Sequence, residues 1–148
     1  MGTVERHTAA DPGQVYAVLA DGWTYSNWVV GASHVRAVDA AWPAAGTRLH
    51  HASGNWPLTL DDETVVEEVE PARRLVLRAK GRPFGEARVV LELHADDTGT
   101  RVVLTEEPVS GPGKWLHNPA SEALLVKRNT ESLSRLAAIA ERRTRPAG

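Results

Sequence analysis

Three positions in this chain have side chains able to move a proton inside an apolar space. His51 shares a strand face with Leu49, while His50 points the other way. Glu106 has the parity of Val102 and Leu104. In the acidic run Asp61-Asp62-Glu63 one aspartate must turn inward, and alternation leaves Asp61 and Asp62 as alternatives. His51 with Glu106, or with Asp61 or Asp62, is a donor-acceptor pair of the kind used in general acid/base work. Against this stands the ordinary fate of such residues. A strand histidine is commonly packed or half-exposed, acids near hairpin ends are commonly solvated, and no motif of known catalytic geometry is present.

Other chemistries lack their residues. There is no cysteine, which removes disulfides, thiolate metal sites and cysteine nucleophiles. His50 and His51 face opposite ways, and His94 and His117 lie at other element ends, so no zinc-ligand spacing exists and no metal is expected. Gly111-Pro112-Gly113-Lys114 is not a phosphate-binding loop, and Gly31-Ala32-Ser33-His34 lacks the second glycine of a nucleophile elbow. No cofactor is expected. Of the five tryptophans, Trp28, Trp56 and Trp115 fall at an element end or in loops, where an aromatic rim would suit a flat molecule; packing of loops on the core is the competing explanation.

The elements that must position these residues are mostly strands. Thr3 to Thr8 starts the series, and Asp11-Pro12 opens a short helix with an N-cap followed by proline. A second short helix spans Trp23 to Val30 and Gly31 ends it. Strands are then predicted at 33–39, 47–53, 58–70, 74–80, 84–94 and 100–107. In the long 58–70 segment, Leu58 and Leu60 have one parity and Val65 and Val69 the other, which predicts a bulge at Asp61-Asp62-Glu63. A Gly/Pro-rich loop follows from Pro108 to His117.

The last long segment, Asn118 to Arg143, is predicted as one amphipathic helix. Leu125, Asn129, Leu133, Leu136 and Ala140 fall on one stripe with Glu122, and Lys127, Glu131, Arg135 and Arg142 lie outside. The stripe is apolar in its C-terminal half and mixed in its N-terminal half. Burying an unpaired amide or carboxylate costs roughly 2–7 kcal/mol, so Glu122 and Asn129 are expected to be paired, solvated or used. Glu122 near a helix start is also favoured by the helix dipole, and Asn129 can equally bond a strand backbone.

Composition narrows the rest. A chain of 148 residues suits one domain, expected over 1–143 with a tail at 144–148. The formal net charge is -2 and the arginines are scattered, so neither nucleic acid nor membrane insertion is expected. No apolar leader or membrane-length run is present, and a cytoplasmic location is the expectation. The sequence leaves homodimer formation open.

The order strand, two short helices, six strands, long helix resembles the helix-grip fold of the START-like SRPBCC superfamily. It is close to bacterial proteins of the polyketide cyclase/dehydrase type. The resemblance covers nearly the whole chain. It rests on Ala10-Asp11-Pro12, Trp23-Thr24-Tyr25-Ser26-Asn27-Trp28, Trp42-Pro43 in the Asp39-to-Gly46 turn, Glu70-Pro71-Ala72-Arg73-Arg74-Leu75, Thr98-Gly99-Thr100-Arg101-Val102 and Arg128-Asn129-Thr130-Glu131-Ser132-Leu133. It implies an α+β fold, a curved antiparallel sheet of about seven strands around the C-terminal helix with a cavity between. It also implies a hydrophobic or aromatic small molecule as partner, lipid-like or polyketide-like. With the strand parities, the expected lining is Trp28, His51, Trp56, Leu58, Leu60, Leu104, Glu106, Trp115, Glu122, Leu125 and Asn129. An alternative is a cyclase/dehydrase that holds a poly-β-ketone folded and moves protons with His51, Glu106 or Asp62. A further alternative is an interaction or chaperone-cofactor-like module with a collapsed cavity. The superfamily has no shared catalytic motif to transfer, so the catalytic residues stay unassigned.

Overall fold

The computed structural model describes residues 2–53, 60–81, 85–110 and 119–144. Seven antiparallel strands form one sheet in the order β1-β7-β6-β5-β4-β3-β2. They are β1 (Gly2–Thr8), β2 (Ala32–Val38), β3 (Arg48–Ser53), β4 (Leu60–Glu70), β5 (Arg74–Gly81), β6 (Gly85–Asp96) and β7 (Gly99–Ser110). Between β1 and β2 come α1 (Pro12–Ala20), a 3-10 turn (Gly22–Thr24) and α2 (Tyr25–Trp28). The long helix α3 (Pro119–Thr144) closes the chain. The helix-grip arrangement expected from the sequence is therefore present.

Local chemistry sets the boundaries. Asp11 caps α1 in a capping box: its carboxylate accepts from the Gln14 backbone N–H at 2.8 Å, and the Gln14 side chain accepts from Asp11 N–H at 2.8 Å. The second helical stretch ends at Trp28, earlier than the expected Val30, because Val29 is already extended with φ -79° and ψ 112°; Gly31, with φ at 104°, makes the turn into β2 in a left-handed conformation that glycine adopts without a Cβ penalty. At Gly99, φ is 144° and a Cβ would collide with the Thr8 carbonyl oxygen, so the β6–β7 turn sits directly against the end of β1.

Two expectations need correction. The bulge in β4 is not at Asp61-Asp62-Glu63, because the β3–β4 register runs unbroken from Arg48↔Val65 to Ser53↔Leu60. The register shifts against β5 between Val66 and Glu68 instead. Asp62, Thr64 and Val66 therefore point inward together, and after the extra residue Val69 packs on the core. Val65 does not belong to the inward set. The bulge also leaves Glu67 and Glu68 both outside, within reach of Arg78, Arg88 and Arg74. The second correction is that β7 runs on to Ser110, through Pro108, which the sequence reading placed in a loop. Pro108 lies beyond the last β1 pairing, Gly2↔Glu106, so its missing N–H costs no ladder bond on that side.

The inner sheet face supplies Leu49, Val66, Leu75, Leu77, Leu91, Leu93, Val102 and Leu104 to the core. α1 adds Val15, Val18 and Leu19, and α3 adds Leu133, Leu136 and Ala140. Each fully buried large aliphatic side chain contributes about 1.5–3 kcal/mol. α3 lies mainly against β1 and α1 and also touches α2. Its C-terminal end is tied to the end of α1 by Arg143 and Asp21 at 3.0 Å. The apolar half of the α3 stripe therefore fills the core at the α1 end. Asn129 and Ser132 are the buried polar residues further toward the helix start. On the outer face, Val76 is buried despite its outward parity, in a cleft lined by Glu67, Glu68, Arg74 and Arg88. Among the described residues no helix is long and apolar enough to cross a membrane.

Candidate functional site

Strand pairing places His51 directly opposite Asp62, with Thr64 two residues along β4 on the same inward face. All three are buried, Thr64 completely. α2 lies against this patch and brings Tyr25 with it. The Tyr25 hydroxyl and Thr64 Oγ1 are 3.1 Å apart, and His51 Nε2 and Thr64 Oγ1 are also 3.1 Å apart. The Tyr25 and His51 rings lie 5.2 Å apart, and Trp28 meets Tyr25 edge-on at 5.7 Å. Thr64 has one hydroxyl proton, so it donates to one neighbour and accepts from the other. The chain thus runs either from Tyr25 through Thr64 to His51 or in the reverse direction.

Burial dominates the electrostatics here. It pushes the Tyr25 phenol up to about 12; the Thr64 bond opposes this, Glu106 adds to it and Arg128 opposes it. Burial also pushes His51 below its ordinary value, against the nearby charge of Asp62, so neutral imidazole is the favoured form.

A second polar group faces the first from β7 and α3. Glu106 is inward by parity with Val102 and Leu104, and its side chain is 14% exposed. Arg128 Nη2 reaches both of its carboxylate oxygens, at 2.7 and 2.6 Å. Arg128 itself is 42% exposed, so the pair closes the interior from its rim. The next residue, Asn129, is buried, and its Nδ2 has no hydrogen-bond partner among the described residues. One turn further, Ser132 Oγ accepts from Val30 N–H at 3.1 Å, which ties this face of α3 to the segment just after α2.

Of the acid/base pairs weighed from sequence, the fold brings together His51 and Asp62. Asp61 turns outward to Arg36 at 3.3 Å, and Glu106 is engaged by Arg128 instead of His51. Trp28 and Leu104 are core residues. Glu122 and Leu125 are half-buried against the start of β1: a Cβ on Gly2 would meet Leu125 Cδ2 at 3.1 Å and Glu122 Oε1 at 3.6 Å. Trp56, Leu58 and Trp115 lie outside the described residues, as does the side chain of Leu60. Tyr25, Thr64 and Arg128 were not singled out by sequence reasoning. Thr64 was within reach of it, since it shares parity with Asp62 once the bulge is moved to Glu67. Among the described residues no group of three His, Asp or Glu is placed to hold a metal ion.

The sequence pattern of one protein family, described as polyketide cyclase / dehydrase and lipid transport, matches residues 2–141. The chain belongs to this family. No functionally curated protein matches the sequence. Among solved structures, a protein from Nitrosomonas europaea is similar with a TM-score of 0.73 at 18% identity, over 95% of this chain and 94% of that one. A protein from Mesorhizobium loti gives 0.72 at 19% identity, over 97% and 98%. DynU16, from the dynemicin biosynthetic locus, gives 0.66 at 22% identity; this chain is covered to 95% but spans only 46% of it. At these identities the likeness concerns the fold of the family member, and its chemistry must be argued from its own residues.

Proposed function

We propose that this family member binds a hydrophobic small molecule between the inner sheet face and the N-terminal half of α3. Tyr25, Trp28, His51 and Asn129 are its contact residues. The observation that carries the reading is the buried Asn129 amide, whose Nδ2 has no hydrogen-bond partner among the described residues. An unmade hydrogen bond in a buried place costs about 1–3 kcal/mol. A chain keeps such a cost where a bound molecule or its water supplies the missing partner. Tyr25 and Trp28 supply aromatic surface beside the polar cluster, the mixture of apolar wall and few polar groups that small-molecule sites use. The family description, with its polyketides and lipids, points the same way.

Native mass spectrometry of the protein purified from its host is the direct test. A mass excess lost on denaturation, identified as a hydrophobic compound, supports the reading. Protein that is free of any such compound and takes up none from a host lipid and metabolite extract sinks it.

A second reading is acid/base chemistry on the bound molecule. It is favoured by the continuous Tyr25–Thr64–His51 chain and by the neutral state of His51, which leaves one imidazole nitrogen able to accept a proton. Turnover that disappears in Thr64→Val, with binding retained, distinguishes it from simple carriage.

A further inference from the structure

We propose that the Arg128–Glu106 ion pair is a latch on residues 119–128 of α3. Resting on the binding reading above, release of this latch sets how fast the site exchanges its ligand. Burial divides the helix sharply. Over residues 119–128 no residue is buried, although Leu124, Leu125 and Val126 lie there, and Leu124 is 69% exposed. From Asn129 onward, Ser132, Leu133, Leu136, Ala137 and Ala140 are all buried. That half is also tied down by polar contacts, Ser132 to Val30 and Arg143 to Asp21. A helix in a folded protein owes most of its stability to the packing of its apolar face. The C-terminal half of α3 has that packing and the N-terminal half does not, so residues 119–128 are the part that unwinds first.

The latch sits at the boundary between the two halves. Arg128 is the last residue before the buried stretch, and its Nη2 lies 2.7 and 2.6 Å from the two oxygens of Glu106 on β7. Glu106 is mostly buried and Arg128 half-exposed, so the cation reaches in from the rim and pins the helix to the sheet at that turn. Both charges are felt at the Tyr25 phenol, with opposite signs, which puts the pair close to the contact residues of the site. With Arg128 off Glu106 and residues 119–128 unwound, Asn129 becomes the first residue of the packed helix and the interior beside Glu106 opens. A tie through a half-exposed guanidinium is screened by salt and gives way far more readily than buried leucines do. That is the strength needed in a contact that must open in use and close again.

The test uses the full chain, hydrogen exchange at single amides, and stopped-flow binding of the neutral fluorescent probe N-phenyl-1-naphthylamine. In the wild type, amides 123–128 are expected to exchange about ten-fold or more faster than amides 133–140, after correction for intrinsic rates. Arg128→Gln should speed exchange at 123–128 by about five-fold, and Glu106→Gln, which removes the same pair from the other side, should do likewise. Probe association and dissociation should both quicken by about that factor in Arg128→Gln while Kd stays within about two-fold, because the gate is passed in both directions. Raising the ionic strength should quicken probe exchange in the wild type and not in Arg128→Gln. Arg143→Gln, which cuts the ion pair at the opposite end of α3, should leave amides 123–128 and the probe rates where they are. Equal protection of the two halves overturns the proposal. So does exchange at 123–128 that is unmoved in Arg128→Gln or moved as much by Arg143→Gln, and so do probe rates that stay fixed while 123–128 opens. Absence of probe binding overturns the binding reading instead, and the exchange measurements then decide by themselves whether the latch exists.

Discussion

Thr64→Val is the sharpest perturbation of the buried cluster. Valine has nearly the shape of threonine, so the fully buried position stays filled and little packing is lost. What disappears is the one hydroxyl that bonds both Tyr25 Oη and His51 Nε2, each at 3.1 Å. Two polar atoms are then stranded in place of one. At about 1–3 kcal/mol for each buried group left unsatisfied, and with some relief from small shifts, the expected loss is about 2–4 kcal/mol. Tyr25→Phe removes a single bond and strands nothing beyond it, because Thr64 keeps His51 as partner; its expected cost is about 1 kcal/mol. In a Tyr25→Phe background, Thr64→Val strands only the imidazole, so the double variant should be less damaged than the sum of the two singles by about 1 kcal/mol or more. Urea unfolding of the four proteins measures this, with midpoints falling and slopes unchanged. In thermal unfolding the Thr64→Val loss corresponds to a drop of about 6–12 °C for a chain of this length. A Thr64→Val variant within 0.5 kcal/mol of wild type, or one that costs as much in the Tyr25→Phe background as alone, would refute the shared-hydroxyl reasoning (threshold about the ordinary scatter of surface substitutions).

Alkaline pH should act through Tyr25, whose phenol is raised from 10.0 to about 12 in the folded state. The unfolded chain loses that proton first, so the stability is intact below pH 10 and falls by about 1.4 kcal/mol per pH unit up to about pH 12. Unfolding midpoints measured across that range should decline, and more shallowly in Tyr25→Phe. Arg128→Gln should cost about 1 kcal/mol by leaving the mostly buried Glu106 carboxylate without its cation. The figure is modest because Arg128 is itself exposed, and the difference should shrink in high salt, as denaturation at two ionic strengths checks. Gly99→Ala should destabilise by about 2 kcal/mol or more, since its φ of 144° suits glycine and the new methyl meets the Thr8 carbonyl. Circular dichroism melts compared with Gly46→Ala, where a Cβ meets nothing, separate the collision from the φ strain.

Much of the architecture was legible because it is written in periodicity. Alternation placed Leu75 and Leu77 on one face of β5 and Leu91 and Leu93 on one face of β6, and the 3.6-residue stripe placed Leu133, Leu136 and Ala140 in the core. Asp11 before Pro12 marked a helix start that the capping box confirms. The candidate site was legible only in part. His51 and Glu106 were found inward by parity alone. The choice between Asp61 and Asp62 depended on where β4 takes its extra residue. Grouping Val65 with Val69 against Leu58 and Leu60 sets the switch too early, because Val66 and not Val65 is inward and only Val69 follows the extra residue. Tyr25 and Thr64 meet across 39 positions of sequence, and nothing local to either announces the other. Arg128 looked like one more charge on a charged helix, since its partner is supplied by a different strand.

On the reading proposed above, the inner face around Tyr25, Trp28, His51 and Asn129 receives a hydrophobic molecule. Nuclear magnetic resonance titration of isotopically labelled protein with N-phenyl-1-naphthylamine tests it most directly. Saturable shifts of the Trp28 indole, the His51 ring and the Asn129 side-chain amide are expected. The exposed Trp23 indole should stay unmoved and serve as the internal control. No saturable shifts, or shifts confined to Trp23 and the outer sheet face, would contradict it.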